Sequence, residues 1–247
     1  MSDISPQANA GAPAESAERR AGGESAGRGK LITLEGGEGA GKSTQIGHLM
    51  RRLQAAGIEA IATREPGGSQ GAELLRGILL SGAVKPLGPA AEAILFAAAR
   101  IDHIDNTIEP ALKAGKWVVS DRFSDSTRAY QGGAGAIDPR LINALERVAL
   151  GDLRPDLTLI LDLPAEAGLR RAAHRRAPDA ALDRFEGEDL RFHEALRASF
   201  LAIAAADPGR CAIIDASAPE ADVAGAIQRV VSERLTGGRS AERAHGA

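Results

Sequence analysis

One stretch, LEGGEGAGKS at residues 34–43, constrains this chain more than any other. It carries the pattern G-x-x-x-x-G-K-S from Gly36 to Ser43 and follows directly on the apolar run at residues 31–34. A strand, a glycine-rich turn and a helix opening on Lys-Ser together read as a phosphate-binding loop. Phosphate oxygens need several backbone N–H groups aimed inward at close range. Side chains would obstruct that approach, so Gly36, Gly37, Gly39 and Gly41 read as clearance for the anion. The helix that begins at Lys42 adds the positive end of its dipole. Lys42 then reaches the outer phosphates, and the Ser43 hydroxyl is placed to ligate Mg2+.

The rest of the chain repeats the same alternation. Apolar runs at residues 31–34, 58–63, 117–120, 157–161 and 211–214 are strand candidates. Helical patterns fill 42–56, 70–80, 89–114, 139–148, 165–176, 187–206 and 219–235, with a shorter one at 124–130. Short apolar strands separated by helices predict an α/β fold: three layers, α/β/α, around a five-stranded parallel sheet. Ligands of such sheets gather at the carboxyl ends of the strands. Those ends carry the glycine loop, Arg64 to Gly68, Asp121 with Arg122, and Asp162, and all four are expected to face one crevice.

Bulk properties narrow the function classes. A formal charge of -3 over 247 residues argues against general adhesion to nucleic acid, so phosphate binding should be local. Cys211 is alone, and five scattered His residues contain no H-x-x-x-H pair, so no metal cluster is expected. No apolar stretch reaches the length needed to span a bilayer. Residues 1–29 are rich in Ala, Gly, Ser and Glu and read as a disordered extension without the apolar core of a secretory signal. The acids Asp3, Glu15, Glu18 and Glu24 argue against a transit peptide. A cytoplasmic domain over residues 30–235, followed by a loose tail at 236–247, is the expected organisation.

Several side chains join the phosphate loop as candidates. Asp121 ends an apolar strand, as the metal-associated carboxylate of a Walker B strand does, and could hold Mg2+; the alternative is a cap on the helix at 124–130. Arg122 is a candidate clamp for an acceptor phosphate, since a guanidinium binds such oxygens bidentately. Phe96 and Arg100, four apart, share one helix face that suits a flat heterocycle bearing carbonyls. Spacing alone favours Phe96 as core. Arg170, Arg171, Arg175, Arg176 and Arg184 bracket an Ala-rich segment and are expected to form a cationic helical lid over about 170–186. A GTP-dependent switch would need an N-K-x-D element, which is missing, and the D-x-x-G at 222–225 falls in a predicted helix. A binding-only module would not need Asp121 and Arg122 beside a complete phosphate loop.

These residues together resemble the thymidylate kinase family, within the nucleoside-monophosphate kinases. The likeness runs from about residue 30 to 235 and is carried by LEGGEGAGKST at 34–44, TREPGG at 63–68, Phe96 with Arg100, DRFSDSTRAYQGG at 121–133 and RPDLTLILDL at 154–163. The resemblance implies ATP-dependent phosphorylation of dTMP to dTDP with Mg2+, on a P-loop kinase architecture with a helical lid. Gly36, Gly37, Glu38, Gly39, Ala40, Gly41, Lys42, Ser43 and Thr44 would bind ATP. Phe96 would stack on thymine, reversing the spacing-only reading, and Arg100 would bond its carbonyl edge. Arg122 with Arg76 would hold the dTMP phosphate. Thr127, Tyr130 and Gln131 would line the nucleoside pocket, with Tyr130 where a 2′-OH would clash and Glu38 near the 3′-OH. The loop lacks the Arg that some members carry, so the lid would supply the catalytic guanidinium, with Arg175 and Arg176 ranked first. A homodimer is expected by resemblance. Other P-loop kinases of nucleotides or nucleosides are the alternative.

Overall fold

The structure, a computed structural model, describes residues 27–135, 137–175, 185 and 187–237. Its five strands are β1 (Leu31–Glu35), β2 (Ala60–Arg64), β3 (Trp117–Asp121), β4 (Leu157–Asp162) and β5 (Cys211–Asp215). All pair in parallel, in the order β2-β3-β1-β4-β5. The expected three-layer architecture is therefore present, with β1 in the middle. Every residue of β1 is buried, because its neighbours β3 and β4 cover both edges and helices cover both faces.

The helices are α1 (Lys42–Ala55), α2 (Gln70–Leu80), α3 (Pro89–His103), α4 (Glu109–Lys113), α5 (Ser124–Thr127), α6 (Pro139–Leu150), α7 (Ala165–Arg175), α8 (Leu190–Ala206) and α9 (Glu220–Val231). On α1, Ile46, Leu49 and Leu53 recur at helical spacing and pack with Val223 and Ile227 of α9 against the sheet. The opposite face is sealed by Ile104, Ile108 and Leu112 packed on Leu31, Val118 and Phe123. On α8, Leu196, Phe200 and Ala204 recur at the same spacing and bury against Ala129, Tyr130 and Ile160.

Three expected helices pass into π-helical turns, one of them the run predicted over 219–235, where α9 ends at Val231 and the turn spans Ser232–Thr236. The run predicted over 89–114 breaks into α3, a π-helical turn at Ile104–Ile108, and α4. Pro110 lacks an N–H for the regular ladder, so the turn before it widens. Likewise α5 passes at Arg128 into a π-helical turn, Arg128–Ala134, that includes Gly132 and Gly133. A Cβ on Gly133 would sit 2.0 Å from Ser199 Oγ, so this glycine lets the turn approach α8. The widened turn carries Tyr130 and Gln131 toward the sheet's carboxyl rim. The D-x-x-G at 222–225 lies inside α9, as a helix residue and not a switch loop.

Candidate active site

The crossover between β1 and α1 builds the loop. Gly36, Gly39 and Gly41 all have positive φ, at 137°, 69° and 88°. Two of them are fixed by protein backbone as well as by conformation. A Cβ on Gly36 would lie 2.6 Å from the Leu161 carbonyl oxygen, and one on Gly39 would lie 2.0 Å from that of Gly168. Clearance for an anion was the expected reason for all four glycines; only Gly37 and Gly41 open onto free space.

Lys42 folds back along this loop, its Nζ donating to the carbonyls of Gly36 and Gly37 at 3.0 Å each. It is buried, and burial, joined by Arg122, pulls its ammonium down to about 8. Ser43 Oγ donates to Asp121 Oδ2 at 2.9 Å, tying the first turn of α1 to the end of β3. That contact follows from register, since Leu34 and Asp121 are paired across β1 and β3. The capping alternative for Asp121 is not realised: the N-terminus of α5 falls at Phe123, with no side-chain cap.

Arg122 takes φ 70°, and among the described residues no other non-glycine has positive φ. Such a conformation costs about 1–3 kcal/mol and persists only where surroundings over-determine it. Here they do. The Arg122 N–H donates to Leu34 O at 2.9 Å, its carbonyl accepts from Ser120 Oγ at 2.7 Å, and the next N–H, of Phe123, donates to Glu35 Oε1 at 2.8 Å. The side chain is thereby aimed over the loop, donating to Gly36 O at 3.1 Å and Glu38 Oε1 at 2.8 Å, with its Cζ 4.9 Å from the Tyr130 ring centroid. Burial works against the Arg122 cation, yet Tyr130, Glu38 and Asp121 hold it above its ordinary value. Burial likewise works to raise the Glu38 carboxyl, but Arg122, Lys42 and the Tyr130 hydroxyl outweigh it and hold that group at about 2. The Tyr130 hydroxyl donates to Glu38 Oε1 at 2.9 Å.

Glu35 was not singled out from the sequence, though it closes β1 immediately before the loop. Burial, with Asp125 next, pushes its carboxyl up to about 8. Its Oε2 also accepts from Ser126 Oγ at 2.6 Å, and Ser126 Oγ lies 3.2 Å from Arg122 Nη1. The folded chain keeps a proton here that the unfolded chain releases near its ordinary value of 4.5. This stabilisation is complete below about 4.5 and is lost as pH rises toward 8. Glu35→Gln, a neutral amide of the same shape, should therefore gain stability relative to wild type over that window. Denaturant unfolding at pH 5 and pH 8 checks it, and a pH-independent difference would refute it.

Loop and strand ends enclose one cavity of about 210 Å³. Its phosphate-loop side is made by Glu38, Gly39, Ala40, Gly41, Lys42 and Ser43, and Asp121 and Arg122 lie beside them. The lining also includes Arg76, Phe96, Arg100, Thr127, Tyr130 and Gln131, so the expected base-side residues share one cavity with the expected phosphate-side ones. Arg76 Nη1 donates to Pro66 O at 2.6 Å at the rim. Phe96 is half-buried; it packs against the α8 cluster and also lines the cavity. Phe185 completes the aromatic wall, 6.2 Å from Phe96 and edge-on to Tyr130 at 5.1 Å between centroids. Sequence spacing gave no signal for it.

Some expected members do not line this cavity. Thr44 is exposed on α1 and is not among the cavity-lining residues. Asp162 does not face the crevice: Arg197 of α8 takes both its oxygens, at 2.6 and 2.8 Å. Arg170 pairs with Glu166 one turn away on α7, and Arg171 Nη1 donates to Ala216 O at 2.9 Å. Arg176 and Arg184, most of the expected lid, and the Arg175 side chain lie outside the described residues. Glu65, at the end of β2, and His103, one turn after Arg100, are two further residues at this wall that spacing did not single out.

Comparison with known proteins agrees with this geometry. The thymidylate kinase family profile matches residues 34–227. A thymidylate kinase of Bradyrhizobium diazoefficiens is 58% identical over 211 residues, covering 85% of this chain and 92% of its own length. One from Nitrobacter winogradskyi is 56% identical over 217 residues, 88% of this chain and 94% of its own. One from Afipia carboxidovorans is 57% identical over 209 residues, 85% and 91% respectively. A phosphate loop, an aromatic wall and several arginines in one cavity, with likeness at this level along most of the sequence, lead to one conclusion: the chain belongs to the thymidylate kinase family.

Proposed function

We propose that the chain transfers the γ-phosphoryl group of ATP to dTMP, giving dTDP and ADP. The observation that carries this reading is the meeting, in one cavity, of Lys42 and the phosphate loop with Arg122, Arg100 and Phe96. Residues 36–44 bind the ATP phosphates, the loop glycines through backbone N–H groups and Lys42 between donor and acceptor. Arg122 and Arg76 hold the dTMP phosphate. Thr127, Tyr130 and Gln131 line the nucleoside, Phe96 stacks on the base and Arg100 meets its carbonyl edge. Glu38 faces the deoxyribose 3′-OH. Tyr130, fixed through its hydroxyl to Glu38, denies space to a 2′-OH.

Both substrates are polyanions. Unit charges 4 Å apart interact by about 1 kcal/mol in water and about 4 kcal/mol at the dielectric of a partly shielded site. The cations of the cavity therefore matter more as the site closes. The transferring group is loose and metaphosphate-like, so positioning and charge neutralisation supply most of the catalysis. The acceptor oxygen is already anionic, and no strong general base is required. Mg2+ fits this donor set: Ser43 Oγ and the Asp121 carboxylate, both hard oxygen ligands, meet at 2.9 Å at the mouth of the loop. When bound, the ion neutralises phosphate charge. The segment at 170–186 acts as a lid, with Arg175 or Arg176 as the transition-state guanidinium.

The proposal includes a cytoplasmic homodimer. Leu74 and Ile78 of α2, Ile94 of α3 and Val148 of α6 are large exposed apolar side chains on helices that neighbour one another, as a copy-to-copy surface would need.

A coupled ADP-release assay comparing dTMP with dUMP, dCMP, dGMP and thymidine tests the assignment; a preference for any other acceptor over dTMP would overturn it. Phe96→Ala should weaken dTMP by about 1–3 kcal/mol, the scale of base–aromatic stacking. An unchanged dTMP KM with reduced thermal stability would assign Phe96 wholly to the core.

A further inference from the structure

Behind the base-side wall runs a buried chain of polar groups that phosphate binding does not use. Arg100 Nε donates to Glu65 Oε2 at 2.8 Å, while Nη2 donates to Thr127 Oγ1 at 3.0 Å and Phe123 O at 3.2 Å. The other Glu65 oxygen lies 3.1 Å from His103 Nδ1, and His103 Nε2 lies 2.7 Å from Thr63 Oγ1. Arg100, Glu65 and His103 are 3%, 6% and 0% exposed. Thr63 and Glu65 sit at the end of β2, and Arg100 and His103 lie one turn apart on α3, so strand and helix are joined through this chain.

The proton order follows from chemistry. An ion-paired carboxylate only accepts, so His103 donates from Nδ1, and its Nε2 is bonded to the Thr63 hydroxyl. That assignment fixes the imidazole plane, the carboxylate and, through it, the guanidinium. With Nε and Nη2 committed to protein partners, Nη1 is the edge Arg100 has left for the cavity it lines. It can only donate.

We infer that Glu65 and His103 are positioning residues that set base choice, by holding Arg100 with a donor-only edge toward a ring carbonyl. The inference rests on the reading of Arg100 as the base contact. A 4-oxo pyrimidine offers an acceptor to this edge. A 4-amino pyrimidine sets donor against donor and leaves both buried and unmatched. A long guanidinium side chain released from Glu65 regains rotamer freedom and no longer enforces that difference.

The test uses the full chain and steady-state rates with dTMP and dCMP at saturating ATP, together with thermal melting. His103→Leu should raise the dTMP KM about tenfold, leave the ATP KM unchanged and lower the dTMP-to-dCMP ratio of kcat/KM about tenfold. His103→Asn, whose amide nitrogen stands in for Nδ1, should recover most of both. A purely structural role would lower the melting temperature while leaving the dTMP KM and the ratio at wild-type values, and that result overturns the inference. Should His103→Leu not fold, Thr63→Val is read instead, expecting about a threefold change in the same direction, and an unchanged ratio overturns it. Arg100→Ala separates the two levels. If it leaves the dTMP KM unchanged, the base-contact reading falls; if it raises that KM while His103→Leu does not, only the positioning inference falls.

Discussion

Lys42→Ala is expected to lower kcat by about 100- to 1,000-fold, a loss of roughly 3–4 kcal/mol of transition-state stabilisation. The ammonium is buried at the base of the loop, 3.0 Å from two loop carbonyls, and the neighbouring cation, Arg122, which shares the Gly36 carbonyl, is already paired with Glu38. A charge-assisted contact in a shielded site is worth about twice a neutral one. Initial rates at saturating dTMP and ATP check the prediction, and near-normal turnover would remove Lys42 from the reaction. The pH profile carries a second signature. Burial pulls the group down to about 8, so the cation is complete below that value and is lost as pH rises through it. The kcat/KM for ATP, which reports the free protein, should therefore fall above pH 8. Bound phosphate favours the charged form, so kcat should hold to higher pH. Lys42→Ala should abolish that difference between the two profiles.

Arg122→Ala should reduce kcat/KM for dTMP by about 1,000-fold, with a much smaller effect on the ATP KM. Two losses combine. On the proposed reading the acceptor phosphate loses a bidentate cation, and the partly buried Glu38 carboxylate loses the partner 2.8 Å away that holds it ionised. Arg122→Gly separates side chain from backbone. Glycine accepts φ 70° without strain, so this variant should be more stable than Arg122→Ala by about 1 kcal/mol while remaining equally impaired. Measured side by side, unfolding midpoints and dTMP kinetics decide the matter. A normal dTMP KM in either variant would refute the phosphate-holding role.

Much of this architecture is legible in sequence, for physical reasons that differ by element. The central strands β1, β3 and β4 are buried on both faces and read as apolar runs, whereas β2 and β5 at the sheet edges are partly exposed, and β2 begins at Ala60, two residues later than its apolar run suggested. The loop is legible because G-x-x-x-x-G-K-S fixes backbone shape and chemistry together. Asp121 and Arg122 follow from their place at a strand end, but the same rule misplaces Asp162, which a helix arginine claims. The rule locates a residue along the chain and says nothing of what crosses over it. Helix interruptions at Pro110 and Gly133 escape periodicity because a π-helical turn of five to seven residues is too short to establish a period of its own. Glu65, His103 and Glu35 were passed over for another reason. Their partners are distant in sequence, and a buried polar network announces itself only when those partners are brought together.

The placement of β1 has a bearing on amide exchange. A strand sealed on both edges and both faces gives up its backbone amide protons only when the whole domain opens. The phosphate loop is thus anchored at its start to the best-sealed strand of the sheet. Amide exchange in this strand is therefore expected to track global unfolding, and exchange in the exposed first turn of α1, at Ser43 and Thr44, to run ahead of it.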